Sequence, residues 1–327
     1  MIRPYSDECA KEWDSFVLDK SANGNFLQSR RFLNYHPKER FKDASMLYYD
    51  SKDNLRAVVP AASIVDAGKR KLVSHPGSTY GGIVCDGKSL CAKRFQLIIE
   101  EVEEHVCSQG FDVIDLRVPP SFLWSGESAL AEYMLRYNGY DCFAELTTYI
   151  DFEAYGDNTL KCFSQGKRTN VNNCKKHGLK LSLLDNFDGV KALHSLLAAN
   201  LIKHGAKPVH SAEEIWDLYA NRLKNETELV GIWDGSELLA AGWVFLFKNR
   251  SAAHTQYLCA NDEYSRLSPM TFLYYSVIER YKEMGYRFIS WGISTENSGR
   301  ILNWGLTGSK ESYGSLHDVH RRFVKSF

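Results

Sequence analysis

The chain has 327 residues, 40 basic and 40 acidic side chains, 44% apolar residues and eight cysteines. At this length a single hydrophobic core is near its usual limit, so two domains are expected, and the balanced charge gives no overall field for a polyanion. A chromatin-type DNA binder is thereby set aside, and any nucleic acid must be met by a local basic patch. The N-terminal MIRPYSDECAKEWDSF is charged where a secretory signal is apolar, and no run of about 18 apolar residues occurs, which points to a cytoplasmic protein without a membrane span. The cysteines form no C-x-x-C pair, and no H-E-x-x-H, G-x-S-x-G or phosphate-loop motif is present, so neither a metal site nor hydrolase or nucleotidase chemistry is expected.

In chain order, strand-like stretches at Met46–Tyr49, Leu55–Ile64 and Gly82–Cys85 precede a strong amphipathic helix between Arg94 and Gly110. There Phe95, Ile98, Ile99, Val102 and Val106 recur at three- and four-residue steps, with glutamates on the other face. A strand follows at 111–118, stopped by Pro119 and Pro120, then a weaker helix from Ser128 to Tyr137 and a strand from Cys142 to Phe152. The second half repeats this order. Strands at Glu228–Trp233, Leu238–Phe247 and Ala252–Cys259, the first two joined at the hairpin signal Asp234–Gly235, lead to a helix from Pro269 to Gly285 and a strand from Tyr286 to Trp291. The order implies a mixed α/β (α+β) fold made of two copies of one unit, residues 1–155 and 156–327.

Lys161 to Lys180 carries six bases and no acid. Phe163, Val171 and Cys174 give it an apolar edge at helical spacing, so it reads as a helix with a basic outer face, either simply solvated or holding an anion through Lys167 and Arg168. Four further clusters lie in the second half. His204, Lys207 and His210 share a loop before Ser211 and Glu214, which form a capping-box pattern. On the strand Ala253–Tyr257, alternation puts His254 and Gln256 on one face and Thr255 and Tyr257 on the other. Arg266, Leu267, Ser268 and Met270 surround the start of the helix at Pro269, where backbone N–H groups favour an anion, although Ser268 is equally explained as a helix cap. The stretch from Trp291 runs through Glu296, Asn297 and Asn303 to Lys310; Glu296 at the end of a strand is a candidate general base, or an acid that serves a helix dipole.

Taken in order, these segments resemble the GNAT superfamily, and within it the two-domain Fem-like branch that includes tRNA-dependent peptidyltransferases of cell-wall synthesis. The resemblance rests on Phe26-Leu27-Gln28-Ser29, Ser74 to Gly82, Lys167-Arg168-Thr169-Asn170 to Gly178, His204 to His210, His254 to Tyr257 and Thr295 to Glu311. It implies two tandem GNAT-like domains and a transferase that moves an acyl or aminoacyl group from acyl-CoA or aminoacyl-tRNA to an amine, such as a cell-envelope or surface-polysaccharide precursor, without a metal. Direct attack of the amine would need Glu296 or His254 as base and Tyr257 near the oxyanion, with His204, Lys207, His210, Gln256, Asn297, Asn303 and Lys310 around the acceptor. Where the family carries a glycine-rich pyrophosphate loop, this sequence has Arg266-Leu267-Ser268-Pro269-Met270, with no glycine. The alternatives are a ligand- or partner-binding module on a degenerate GNAT fold, and an RNA-binding protein that uses the basic segment.

Overall fold

The computed structural model describes every residue except Lys38 and His204. The chain forms two compact units, the first made of Met1–Leu146, Thr295–Ile301 and Asp318–Phe327, the second of Thr147–Ser294 and Leu302–His317. A cut at 155/156 would place the C-terminal segment in the second half; the fold groups it with the first unit.

In chain order the first unit begins with β1 (Ile2–Pro4), α1 (Ala10–Ser15), α2 (Arg30–Leu33), β2 (Lys42–Asp43) and β3 (Met46–Tyr49). It continues through β4 (Leu55–Val59), β5 (Ala61–Asp66), β6 (Lys69–Ser74), β7 (Val84–Cys85), α3 (Ala92–Ser108), β8 (Val113–Val118) and α4 (Ala129–Tyr137), and β9 (Asp141–Asp151) carries the chain onward. The stretch 55–64, which reads as one strand, is two. Pro60 has no N–H to give a ladder, and at that point the chain leaves one sheet, β1-β3-β4-β7, for another that contains β5, β6 and β8. The four-stranded sheet is buried on both faces with period two: Met46, Tyr48, Ala57 and Val59 join the core under α3, while Leu47, Tyr49 and Val58 pack with Trp13, Phe16 and Val17 beside α1. The five apolar residues of α3 are all buried, as their spacing requires.

The second unit contains α5 (Gln165–Lys176), β10 (Lys180–Leu183), α6 (Phe187–Ile202), α7 (Ala212–Asp217), β11 (Thr227–Asp234), β12 (Glu237–Phe247), β13 (Ala252–Ala260), α8 (Pro269–Glu283) and β14 (Phe288–Ile293). The short β15 (Thr295–Glu296) and β16 (Ile301–Leu302) follow, then α9 (Trp304–Glu311) and finally β17 (Leu316–Ser326), whose residues from Asp318 on belong to the first unit and pair there with β8. The unit's strands lie in the order β10-β11-β12-β13-β14-β9. Only the β13–β14 pair among β11 to β14 is parallel, with α8 as its crossover. Val171 and Cys174 of α5 are fully buried against the core that holds Val230, Val244, Phe272, Ile278 and Ile289, while Arg168, Lys175 and Lys176 are exposed. The capping box at Ser211 and Glu214 forms as read, and the β11–β12 turn is Gly235–Ser236 between the paired Asp234 and Glu237.

Two glycines separate backbone strain from steric exclusion. Gly285, which follows α8, has φ +79° and open space where a side chain would go; Gly299 has φ +85° and would place a Cβ 1.9 Å from the Ala144 carbonyl oxygen. Gly285→Ala is expected to cost about 1 kcal/mol from conformation alone, and Gly299→Ala clearly more. Urea midpoints check this, and equal midpoints for the two variants would show that the 299 backbone relaxes around the added methyl.

Candidate functional site in the second unit

The site begins where two neighbouring strands part. β13 and β14 pair in parallel over three residues, Ala252 with Phe288, Ala253 with Ile289 and His254 with Ser290. Beyond that point β13 stays with β12 as far as Ala260, while β14 follows β9 to Ile293. Main-chain groups of β13 past His254 that face β14 therefore lie along an opening in the ladder, where an extended ligand can pair with them.

A β-bulge sits at the mouth of this opening. Trp243 pairs with Tyr257 but Val244 with Thr255, so Gln256 is an extra residue on β13. The expected alternation is corrected here. Trp243 and Phe245 share a face of β12, and their partners Tyr257 and His254 therefore share it too, so it is Tyr257, not Gln256, that joins His254. The ring contacts agree, with Tyr257 at 6.0 Å from Trp243 and His254 stacked 5.9 Å from Phe247. β13 is also an interior strand rather than a solvated edge.

His254 is buried, and its Nδ1 lies 3.0 Å from Ser290 Oγ. The Tyr257 hydroxyl lies 3.2 Å from His210 Nδ1 and accepts the Val209 N–H, which ties the end of the 205–211 loop to β13. Burial raises the Tyr257 pKa, against the opposing pull of the Gln256 side chain and Val209, and the phenol stays neutral near pH 7. Lys207 is exposed on the loop, and His204 lies outside the described residues.

Lys310 provides the least ordinary electrostatics. Only 3% exposed, its Nζ donates to the carbonyls of Gly292 (3.0 Å) and Ile293 (2.8 Å) and to Ser294 Oγ (2.9 Å). Three acceptors match its three N–H groups, but none is a carboxylate, and burial lowers its pKa to about 7. The lysine thus clamps the turn in which β14 ends, two residues beyond Ser290, and Gly292 takes φ +71° in that turn. α9 is fixed beneath it by Tyr313, which stacks on Tyr274 at 4.4 Å and whose carbonyl accepts the Tyr155 hydroxyl. Asn303 is the cap of α9: its Oδ1 accepts the Leu306 N–H at 3.0 Å, a structural use of a residue expected beside the acceptor.

At the start of α8 part of the backbone is engaged within the turn. Ser268 takes φ 53° and ψ 48° without glycine, and its side chain makes no cap. The N–H groups of Thr271 and Phe272 turn to the Ser268 carbonyl, that of Ser268 turns to Ser265, and Pro269 has none. Leu267 and Met270 pack on the core, leaving the exposed Arg266 as the charge available there. On α5, Lys167 lies 4.7 Å over the Tyr313 ring and burial lowers its pKa, while Arg168 is exposed. Glu296 and Asn297 are exposed on the 295–301 segment, which groups with the first unit. Cys259 is buried with its thiol pushed up to about 12, which removes it as a nucleophile. Among the described residues no three His, Cys, Asp or Glu side chains gather as a metal site, and no helix is long and apolar enough to cross a membrane.

Sequence reasoning passed over Trp243 and Ser290. A serine and a glycine inside the apolar run Phe288–Ile293 were the available signal.

A sheet with one parted parallel pair, a bulge beside the gap and a crossover helix is the architecture of GNAT acyltransferases, and the comparisons agree. Residues 165–298 match the family model described as the acetyltransferase (GNAT) domain. FemX is similar over 100% of this chain and 97% of its own, with a TM-score of 0.75 at 12% identity. The C-terminal domain of a protein named as a lysylphosphatidylglycerol synthetase from Agrobacterium fabrum is similar over 98% and 92%, TM-score 0.61, 11% identity. A tandem GNAT protein from the clavulanic acid biosynthesis pathway is similar over 100% and 98%, TM-score 0.52, 13% identity. No curated protein matches the sequence. The chain therefore has a tandem, Fem-like GNAT fold whose second unit carries the matched acetyltransferase domain.

Lys310→Met should lower the melting temperature, because three buried acceptors lose their donor at about 1–3 kcal/mol each before water relieves them. The pH dependence carries a sign. The native pKa near 7 lies below the ordinary 10.5, so between these values the unfolded chain holds more protons and this lysine's contribution to stability rises with pH. The stability of the wild type minus that of Lys310→Met is expected to grow from pH 7 to pH 10, and a flat difference would show that Lys310 titrates normally.

Proposed function

We propose that the second unit transfers an acyl or aminoacyl group from an activated donor to an amine, with cell-envelope or surface-polysaccharide precursors as the acceptor class. The observation that carries this reading is the parting of β13 and β14 directly after the His254–Ser290 pair. An extended donor laid along β13 finds main-chain partners there, and its carbonyl comes to rest beside the bulge at Gln256, whose backbone N–H groups suit a developing oxyanion. The acceptor amine attacks the carbonyl, the C–N bond forms, and the donor's thioester or ester bond breaks. His254, its ring oriented through Ser290, takes the amine proton directly or through water, and the leaving group is released protonated. Lys310 acts as a positioning residue that holds the 292–294 turn.

Two features support the donor class without choosing its member. The amides at the start of α8 are engaged within the turn, so no step is routed through a pyrophosphate there. The outward bases of α5 offer a patch to an RNA end, and one similar structure is named for a synthetase that produces a lysyl lipid.

Native mass spectrometry with acetyl-CoA and with charged tRNA tests the donor. Binding of either supports transfer, and binding of neither would favour the ligand-binding module. With the donor in hand, His254→Gln is expected to lower turnover about a hundredfold, in the range of a lost general base, with the melting temperature retained. A loss confined to Glu296→Gln would move the base to Glu296.

A further inference from the structure

The first unit contains a cavity of about 850 Å³ that the transfer chemistry does not use. That volume suits a ligand of drug or nucleotide size. Its floor is a face of three paired strands, with Lys42 of β2 opposite Ser63 of β5, Ser63 opposite Leu72 of β6, and Arg70 two residues along the same face. Arg30, His36, Phe41 and His75 form one side, and the end of α3 with Phe111 forms the other.

The cavity lining holds three cations, Arg30, Lys42 and Arg70, and three acids, Asp7, Glu39 and Asp43, of which Asp43 pairs with Arg30. Arg30 is 4% exposed, stacks 3.6 Å over the Tyr5 ring, and uses Nη1 on Ser45 Oγ and Nη2 on Asp43. Its Nε is buried with no partner, a costly state for a guanidinium N–H. Asp43 is fully committed, since its second oxygen accepts the Ser45 N–H. Burial works to raise its pKa, but Arg30 and Ser45 outweigh that influence and hold the carboxyl below its ordinary range. Arg70 stacks 4.2 Å over Phe111 and donates to the Gln109 carbonyl, and neither it nor Lys42 has a carboxylate partner among the described residues. Two planar guanidiniums fixed by aromatic rings are thus set for an oxyanion, and three separate cations suit the several oxygens of a phosphate better than the two of a carboxylate.

The remaining wall is largely aromatic, with Glu39 beside it. His36 Nδ1 donates to the Leu33 carbonyl at 3.1 Å. His75 Nδ1 accepts the Gly77 N–H at 3.3 Å, which puts the proton of the neutral ring on Nε2, and burial keeps that ring neutral with a pKa of about 4. The two imidazoles lie 5.4 Å apart, and Phe41 meets them edge-on at 5.1 and 4.9 Å. Packed together, the three rings present an aromatic face beside a cluster of donors.

We infer that this cavity binds an organic phosphate that carries a planar ring, with the phosphate held by Arg30, Lys42 and Arg70 and the ring packed against Phe41 and the two imidazoles. The site is independent of the second unit's chemistry and does not depend on its assignment.

Isothermal titration of the full-length protein with phenyl phosphate, adenosine monophosphate, benzoate and inorganic phosphate tests the inference. At least one ring-bearing phosphate should bind roughly tenfold more tightly than benzoate or inorganic phosphate. Lys42→Ala combined with Arg70→Ala should weaken that binding by about tenfold or more and flatten its salt dependence. Phe41→Leu should weaken the ring-bearing ligands while leaving inorganic phosphate unchanged, and His254→Gln should alter neither. Melting curves confirm that each variant is folded. No saturable binding of either ring-bearing phosphate, inorganic phosphate or benzoate bound as tightly, or affinity unchanged in the Lys42/Arg70 double variant would overturn the inference.

Discussion

One extra residue governs the second unit. In a regular strand that kept Gln256 in register, alternation would put Gln256 on the face of His254 and turn Tyr257 to the opposite face. The bulge reverses that arrangement. It brings Tyr257 into line with His254 and Trp243, where the phenol reaches His210 and secures the loop before α7. It also sits where β13 gives up β14, so the same local defect that breaks side-chain alternation leaves backbone groups turned to the opening. A regular strand at this position would keep its fold and lose both features.

Buried positive charge is handled differently in the two units. Lys310 has no counter-ion, and three neutral acceptors satisfy its hydrogen bonds without offsetting the cost of desolvation, so its pKa falls toward neutrality. Arg30 cannot yield its proton, and is held instead by a carboxylate, a hydroxyl and a tyrosine face. The lysine therefore works as a clamp sensitive to pH and the arginine as a fixed charge. The aromatic supports follow the same division: Tyr313 is locked against Tyr274 in the core under Lys310, whereas Tyr5 lines the cavity beside Arg30.

Much of the fold was legible from residue order. Period 3.6 in α3, the proline start of α8, the capping box of α7 and the apolar edge of α5 are local signals with local causes, and each forms as read. β6 and β17 were missed because Lys69-Arg70-Lys71 and His317 to Arg322 are charged; β6 forms by pairing with β5 across a two-residue turn and with β8, and β17 by pairing with β8, distant in the chain. The residues of the candidate site were mostly named, but their geometry was not. His254, Tyr257 and Lys310 were named from polar clusters in the sequence and from the family resemblance.

Which of those residues meet depended on register and on chain return. A bulge of one residue is invisible to an alternation count, and it decided that Tyr257 rather than Gln256 shares a face with His254. Asn303 looked like a ligand group until the helix that it caps was in place. The segment of Glu296 groups with the first unit, which no local pattern announced. The sequence by itself determined element types, the two-part mixed α/β plan and the resemblance to GNAT transferases, because these follow from short-range patterns and motif order. Only the tertiary structure decided burial, pairing partner and protonation, because each of these is set by groups far apart in the chain.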